Sequence, residues 1–188
     1  MQQQRSHSGI MVGLLSLGVL AITALTAGPA QADSVGPYYA TPSWDQTLPA
    51  ATRFIVLSNF AGAAVLDRET GLVWEKTPQV SGTTTWDGAR NICINKTTGG
   101  RRGWRLPSVF ELLSLTDPSV PSPGPSLPAG HPFTSVLSAA YWSATTDAGG
   151  PADAWRVGFL NGDVFTGFKA NANGQVWCVR GGMNAEAY

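Results

Sequence analysis

The stretch from Gly103 to Leu115 limits the possible folds more than any other part of the chain. Leu106 precedes Pro107, and a residue before proline is pushed out of the helical region, so an extended segment is predicted there. Ser108 is followed three residues later by Glu111, which is the pattern of a capping box at the start of a helix. The stretch therefore predicts a strand that ends at Pro107 and a helix that begins at Ser108.

Residues 1–32 have the three parts of a secretory signal: a polar start with Arg5, an apolar run over 10–27, and Ala30-Gln31-Ala32 as a cleavage site. A membrane anchor is the alternative. The run is interrupted by glycines, however, and it falls short of the roughly 20 apolar residues that a comfortable span needs. We therefore expect cleavage after Ala32, a secreted or periplasmic protein, and no membrane span after cleavage.

Residues 33–188 have the length of one ordinary domain. The chain has 12 Lys and Arg against 12 Asp and Glu. This balance argues against a nucleic-acid partner, because such binding usually needs a clustered basic excess. Charged residues are only 13%, while 22 glycines and 7 tryptophans are present, which favours a turn-rich domain of short strands.

Cys93 and Cys178 are the only cysteines, and an even pair in an exported chain predicts a disulfide. The alternative, a reactive thiol pair, lacks the C-x-x-C spacing and a nearby histidine that would lower a thiol pKa. His131 is the only histidine beyond the predicted signal. A Cys-His or Ser-His nucleophile is therefore disfavoured, and we expect no catalytic residues.

The first half of the exported chain predicts short elements after an N-terminal arm or tether at 33–53. Residues 54–57 form a short apolar run, and 64–76 predict a hairpin in which a glycine-containing loop joins two strand-like runs. Apolar residues recur at helical spacing over 86–93, directly after Thr85, which is a favourable helix cap. We expect this helix to carry Cys93 inward.

The second half predicts a long loop and then an antiparallel meander. Residues 117–132 contain six prolines, which exclude a helix or a central strand there, so this segment is either a functional loop or a spacer. Asn161-Gly162 is a strong hairpin signal between two of the strand-like runs. The last strand is expected to hold Cys178 and to be joined through it to the first helix. The strand-like runs are 141–146, 154–159, 164–168 and 175–180.

Several ordered motifs resemble the Lcl C-terminal domain family of bacterial exported domains. They lie at 66–74, 86–93, 103–112, 141–145, 154–155 and 178–182. The resemblance implies an α+β, C-type-lectin-like domain over 54–182, followed by a C-terminal tail at 183–188. In this fold two short helices pack on a small twisted antiparallel sheet with long loops, and one disulfide joins a helix to the last strand. The residues expected to carry the fold are Trp74, Trp86, Trp104, Arg105, Pro107, Ser108, Glu111 and Trp155.

The same resemblance implies surface binding, since sulfated polysaccharide recognition is described for the adhesin that names the family. The present chain has no collagen-like Gly-X-Y repeat, in contrast to that adhesin. The Arg-Leu-Pro-Ser stretch is also similar to one in the formylglycine-generating oxidases. That chemistry needs cysteines beyond a structural bridge, and both cysteines of this chain are already assigned to one.

The favoured function is therefore an exported binding module for carbohydrate or anionic polysaccharide at the cell envelope or surface. The alternative is a structural or assembly protein that binds another envelope protein, and an oxidase-related enzyme is the third reading. No cofactor is expected, with calcium in the acidic loops as the alternative. The candidate ligand-binding residues are Lys96, Arg101, Arg102, Tyr141, Trp142, Asp147 and Asp153.

Overall fold

The structure is a computed structural model that describes residues 48–181. The predicted signal peptide, residues 33–47 of the predicted arm and the tail at 183–188 lie outside the described residues. Within the described part, no helix has both the length and the apolar character needed to cross a bilayer. The α-helices are α1 (Ala50–Arg53), α2 (Trp86–Ile94) and α3 (Val109–Leu113).

The strands form two sheets, which confirms the α+β class. The first sheet is antiparallel, with the order β1-β2-β3-β9. It contains β1 (Phe54–Val56), β2 (Ala64–Asp67), β3 (Val73–Glu75) and β9 (Val179–Arg180). The second has the order β4-β8-β5-β6-β7. It contains β4 (Gln79–Thr84), β8 (Gly174–Val176), β5 (Ala140–Thr146), β6 (Asp153–Gly158) and β7 (Asp163–Phe168).

The predicted meander is correct for β5, β6 and β7, which pair antiparallel in sequence order. The prediction is wrong for the last strand. Residues 175–180 do not form one strand, because the chain leaves the second sheet after β8 and enters the first sheet as β9. In addition, β8 runs parallel to β5 and lies between β4 and β5. The expectation of one small sheet is therefore replaced by two.

Glu75 of β3 joins the two sheets where the chain crosses between them. The Trp177 indole donates to the Glu75 carbonyl at 2.9 Å, and the Cys178 amide donates to Glu75 Oε2 at 3.2 Å. Cys178 is bonded to Cys93 of α2, which confirms the predicted disulfide. The crossing is thus held by a buried carboxylate and a covalent link.

The helix starts have the predicted caps. The Thr85 hydroxyl accepts a hydrogen bond from the Gly88 amide at the start of α2. At the start of α3, the Ser108 hydroxyl accepts from the Glu111 amide, and Glu111 Oε2 accepts from the Ser108 amide. These bonds satisfy backbone donors that have no partner within the helices.

The core consists of two groups of buried side chains. One contains Trp74, Trp177, Tyr141 and Phe159 together with side chains from α3. The other lies around the disulfide and contains Trp104, Trp142, Phe60 and Ala89. In the first group, Trp177 makes ring contacts with Trp74, Phe133, Tyr141 and Phe159 at centroid distances of 5.0 to 5.8 Å.

The proline-rich segment 117–132 contains no helix or strand, as predicted, but it is packed against the domain. The Ser126 amide donates to the Phe159 carbonyl at 2.8 Å, and the Asp117 amide donates to the Ser126 carbonyl at 2.9 Å. Leu127 is buried in the first group of core residues. The segment is therefore ordered by backbone hydrogen bonds and by one apolar anchor.

The last six residues of the predicted N-terminal arm also pack into the domain. Arg53 is buried and forms an ion pair with Asp67 at 2.7 Å. Its Nη2 atom also donates to the Ser114 carbonyl at 2.8 Å. The Leu48 amide donates to Glu69 Oε1 at 2.5 Å. From Leu48 onward, the chain is fixed to the first sheet and to the end of α3.

Candidate functional site

The Arg-Leu-Pro-Ser stretch is a structural junction. Arg105 Nη1 and Nη2 donate to the two carboxylate oxygens of Glu111 at 2.7 and 2.6 Å. Arg105 Nη2 also donates to the Gly181 carbonyl at 2.8 Å, and Arg105 forms a β-bridge with Val179. The carboxylate that caps α3 therefore also holds the arginine that binds the C-terminal strand.

The tryptophans of the motifs are used mainly for packing. Trp74 and Trp104 are buried, and the Trp104 indole donates to the Arg101 carbonyl at 2.9 Å. The Trp86 indole donates to the Ser143 carbonyl at 2.8 Å, which joins α2 to β5. Trp155 is partly buried against the first core group. These packing contacts and hydrogen bonds account for the tryptophans in the motifs as structural residues.

Tyr141 and Trp142 are not available to a ligand, and their prediction as surface contacts is wrong. Both side chains are completely buried. The Tyr141 ring packs 5.1 Å from Phe159, and the Trp142 indole donates to the Thr84 carbonyl at 2.8 Å. The physical reason is that β5 is an inner strand with helices packed against it, and such a strand can bury both faces.

Three exposed or half-exposed arginines lie on one surface, which we call the arginine surface: Arg101, Arg102 and Arg180. The guanidinium carbons of Arg101 and Arg180 lie 5.6 and 5.9 Å from the ring centroid of Phe60. Arg180 Nε donates to the Arg102 carbonyl at 2.9 Å. Two of the predicted binding residues are thus brought together with a third, Arg180, that the sequence analysis missed.

Arg180 could have been found from its position. It belongs to the Cys178-Val179-Arg180-Gly181 motif of the family resemblance, and it is the final residue of β9. Only the folded structure shows that it lies beside the loop after α2, through its hydrogen bond to the Arg102 carbonyl. This is a contact between distant parts of the chain, so local sequence patterns did not reveal it.

Lys96 differs from the three arginines because it has an acidic partner. Its Nζ atom lies 3.0 Å from Glu75 Oε1, which also accepts a hydrogen bond from Thr98 Oγ1 at 2.8 Å. Within residues 48–181, no carboxylate lies within 4.0 Å of the guanidinium nitrogens of the arginine surface. Lys96 is therefore a weaker candidate for ligand contact than the prediction assumed.

Asp147 lies in the hairpin loop between β5 and β6, and Asp153 is the first residue of β6. Both carboxylates lie within 3.6 Å of the place that a Cβ atom would take at Gly150, and Asp147 Oδ1 accepts from the Gly149 amide at 3.0 Å. Among the described residues, no group of three or more His, Cys, Asp and Glu side chains is placed to hold a metal ion.

Arg156 lies between two aromatic rings on the second sheet. Its guanidinium carbon is 4.9 Å from the Trp142 centroid and 4.8 Å from the Phe165 centroid, and Nη1 donates to Asn173 at 2.9 Å. Burial lowers the pKa of Arg156, and the charge of Asp153 acts in the opposite direction. The guanidinium group of Arg156 is thus held between two rings of its own chain, and it lies outside the arginine surface.

His131 lies in the proline-rich segment and stacks on Phe133 at a centroid distance of 5.9 Å. Its Nδ1 atom is buried and has no hydrogen-bond partner among the described residues. Burial lowers the pKa of His131. This histidine therefore packs on the core as a neutral ring near pH 7.

The fold is an α+β domain of two sheets with short helices. A disulfide joins α2 to the residue before β9, so the C-terminal strand is covalently fixed. The Arg105–Glu111 ion pair adds a second link at this junction. The chain belongs to the Lcl C-terminal domain family, whose family model matches residues 63–180. No curated protein is similar enough to count as a match.

Proposed function

We propose that this protein is an exported binding module for anionic polysaccharide and that the arginine surface is its contact site. One observation carries the proposal: the guanidinium groups of Arg101 and Arg180 both lie on the ring of Phe60, and Arg180 binds the backbone carbonyl of exposed Arg102. None of these three arginines has a carboxylate partner among residues 48–181. Arg53 and Arg105, by comparison, both have acidic partners. The family membership gives the domain type and leaves its ligand open.

The chemistry of these groups suits sulfate and carboxylate. A guanidinium group presents several N–H donors in a plane and can bind such anions through two parallel hydrogen bonds. Arg101 and Arg180 both contact the ring of Phe60, which is itself buried against Trp104. This contact restricts the two side chains before a ligand arrives, so less conformational entropy is lost on binding.

The charge balance of the whole chain implies that a polyanion would be held by a local group of basic residues and not by the net charge of the protein. With 12 basic and 12 acidic residues, the protein has no large net charge to attract a polyanion from a distance. Binding then depends on the few arginines at the contact, whose attraction is screened by salt. We expect retention on a polyanion at low ionic strength and its loss at high ionic strength.

Heparin serves as the probe, and its affinity is measured by calorimetric titration at low salt. We expect Arg101→Ser and Arg180→Ser each to weaken binding by roughly 1 kcal/mol, or about fivefold in Kd. Arg68→Ser is the matched control, because Arg68 is exposed and lies outside the arginine surface. Equal losses in the control and the test variants would show only a general charge effect, and no heparin binding by the unaltered protein would refute the proposal.

Export is a separate part of the proposal and has its own test. The buried disulfide supports it, because such bonds persist mainly in oxidising compartments. We expect the protein recovered from the cell envelope or medium to begin at Asp33, as measured by N-terminal sequencing or intact mass. A chain that keeps residues 1–32 would contradict cleavage after Ala32.

A further inference from the structure

Strand β7 is an edge strand with exposed apolar side chains. It lies at one end of the second sheet and pairs only with β6 among the described strands. Val164, Phe165 and Phe168 are 39%, 38% and 50% exposed. Its six residues pair with β6 without a break in register. An edge of this length and regularity is a ready site for pairing with another strand.

The direction of the free backbone groups follows from one hydrogen bond. The Lys169 amide donates to the Ala152 carbonyl at 2.9 Å, and this pair continues the β6–β7 register. Residues 163, 165, 167 and 169 therefore direct their N–H and C=O groups toward β6. In an antiparallel ladder the alternate residues point the other way, so Val164, Thr166 and Phe168 direct theirs away from the sheet.

Some outward groups have partners within the chain. The Phe168 carbonyl accepts from the Asn171 amide at 3.0 Å, and the Thr166 carbonyl accepts from Arg156 Nη2 at 3.3 Å. Each carbonyl has two lone pairs and can accept a second bond. The outward N–H groups have no such partner among the described residues. The edge is thus able to form a complete ladder.

Two copies of β7 can pair with each other so that suitable residues lie opposite one another. A second β7 strand must run antiparallel with even-numbered residues opposite even-numbered ones, because only these have outward backbone groups. The register with the greatest overlap places Thr166 opposite Thr166, and Val164 opposite Phe168. It also places Asp163 opposite Lys169, so no like charges meet in this register. The Lys169 ammonium already donates to Thr146 Oγ1 at 2.8 Å and to the Pro151 carbonyl at 2.9 Å within its own chain, so the apolar pairs and the backbone ladder carry the contact.

The other sheet edges are less suitable for pairing. In the first sheet, β1 has three residues and β9 has two, and β9 is also covered by the bridge to Arg105. In the second sheet, the register of β4 against β8 is irregular. Proline, lysine and bulges are common protections of an edge, and β7 has none of them within Asp163–Phe168.

We propose that two copies of this chain associate through β7, paired antiparallel about a two-fold axis that passes through Thr166. The pairing uses the free edge of both copies, so it closes as a dimer and does not continue as a fibre. Because the contact involves one short strand from each copy, its area is small, and we expect a reversible, concentration-dependent dimer.

The test is sedimentation velocity of the purified protein over a concentration series that extends to millimolar. We expect the dimer fraction to rise with concentration in the unaltered protein. Thr166→Lys should remove the dimer, because the two new ammonium groups would face each other across the axis. Thr52→Lys is the matched control: Thr52 is exposed in α1, and this variant should dimerise as the unaltered protein does.

A mixing experiment separates loss of pairing from loss of folding. Thr166→Lys and Thr166→Glu should each be monomeric alone, and a mixture of the two should dimerise severalfold more strongly than either one. A monomer at every concentration of the unaltered protein, a dimer that survives Thr166→Lys, or a mixture that stays monomeric would each overturn the proposal. These outcomes do not bear on heparin binding, which uses other residues.

Discussion

The arginine side chains of this domain differ in what satisfies their charge. Arg53 and Arg105 are bound to carboxylates in buried or half-buried positions, while Arg156 is held between aromatic rings. The arginines of the arginine surface have no carboxylate partner among residues 48–181, although Arg101 and Arg180 contact the ring of Phe60. At the scale of single residues, therefore, arginine serves structure at some positions of this domain and is a candidate for ligand contact at others.

Replacing Arg105 should destabilise the fold. The Glu111 side chain is only 1% exposed, so Arg105→Ala leaves a buried carboxylate without its guanidinium. We expect a loss of about 2–3 kcal/mol in the free energy of unfolding, measured by urea denaturation. Arg68→Ala, at an exposed position, should change it by less than about 0.5 kcal/mol. A stable Arg105→Ala variant that no longer binds heparin would instead make Arg105 a ligand contact.

Tyr141 should make the protein sensitive to alkali. Burial raises the pKa of Tyr141 from 10.0 to about 12, and the hydrogen bond from the Leu137 amide opposes this only in part. Above pH 10.0 the tyrosine ionises in the unfolded chain but stays neutral in the folded one. The free energy of unfolding therefore falls by up to about 2–3 kcal/mol as the pH rises to about 12.

The variant Tyr141→Phe isolates this contribution. It should be less stable near neutral pH by about 1 kcal/mol, because it loses the hydrogen bond from Leu137. Its free energy of unfolding should then fall less steeply than that of the unaltered protein in alkaline buffer. Urea denaturation of both proteins at about pH 9 and about pH 11 gives the comparison, and parallel pH profiles would contradict the assignment.

At the scale of elements, local patterns were predicted well, whereas the pairing of strands that are distant in sequence was not. The capping box at Ser108, the threonine cap of α2 and the hairpin of β2 and β3 depend on residues a few positions apart, so the sequence shows them directly. The parallel contact of β8 with β5 joins residues more than thirty positions apart, and no local pattern encodes it. For the same reason Arg180 was missed, and the burial of Tyr141 was not foreseen.

Gly174 permits the close packing of β8. A Cβ atom at this position would lie 2.5 Å from the ring of Trp142, which is completely buried. We expect Gly174→Ala to lower the free energy of unfolding by about 1–3 kcal/mol through overpacking, measured by thermal and urea denaturation. Gly149→Ala is the control, because its nearest contact would be an ordinary 3.6 Å to Asp147. Equal stability of the two variants would show that Trp142 can move aside.

At the scale of the whole molecule, one covalent bond joins distant parts of the chain. Cys93 and Cys178 are 85 residues apart and both are completely buried. The closed loop contains α3, the proline-rich segment and the strands β5 to β8. Restricting so long a loop reduces the entropy of the unfolded chain, which stabilises the folded state.

Removing the disulfide should therefore have a large effect. We expect the double variant Cys93→Ala, Cys178→Ala to lose about 4 kcal/mol in the free energy of unfolding, measured by urea denaturation. The unaltered protein in reducing buffer should lose a similar amount, which checks that the loss comes from the bond itself. A loss below about 1 kcal/mol in both cases would mean that the unfolded chain is already restricted by other contacts.

The crossing from β8 to β9 also determines when the protein can fold. Residues 174–180 supply both the strand between β4 and β5 and the outermost strand of the other sheet. A ribosome makes these residues after every other strand of the part that the structure describes, so a growing chain has neither sheet complete until synthesis has passed residue 180. A nascent chain that ends before residue 174 therefore lacks one strand of each sheet and the disulfide partner of Cys93.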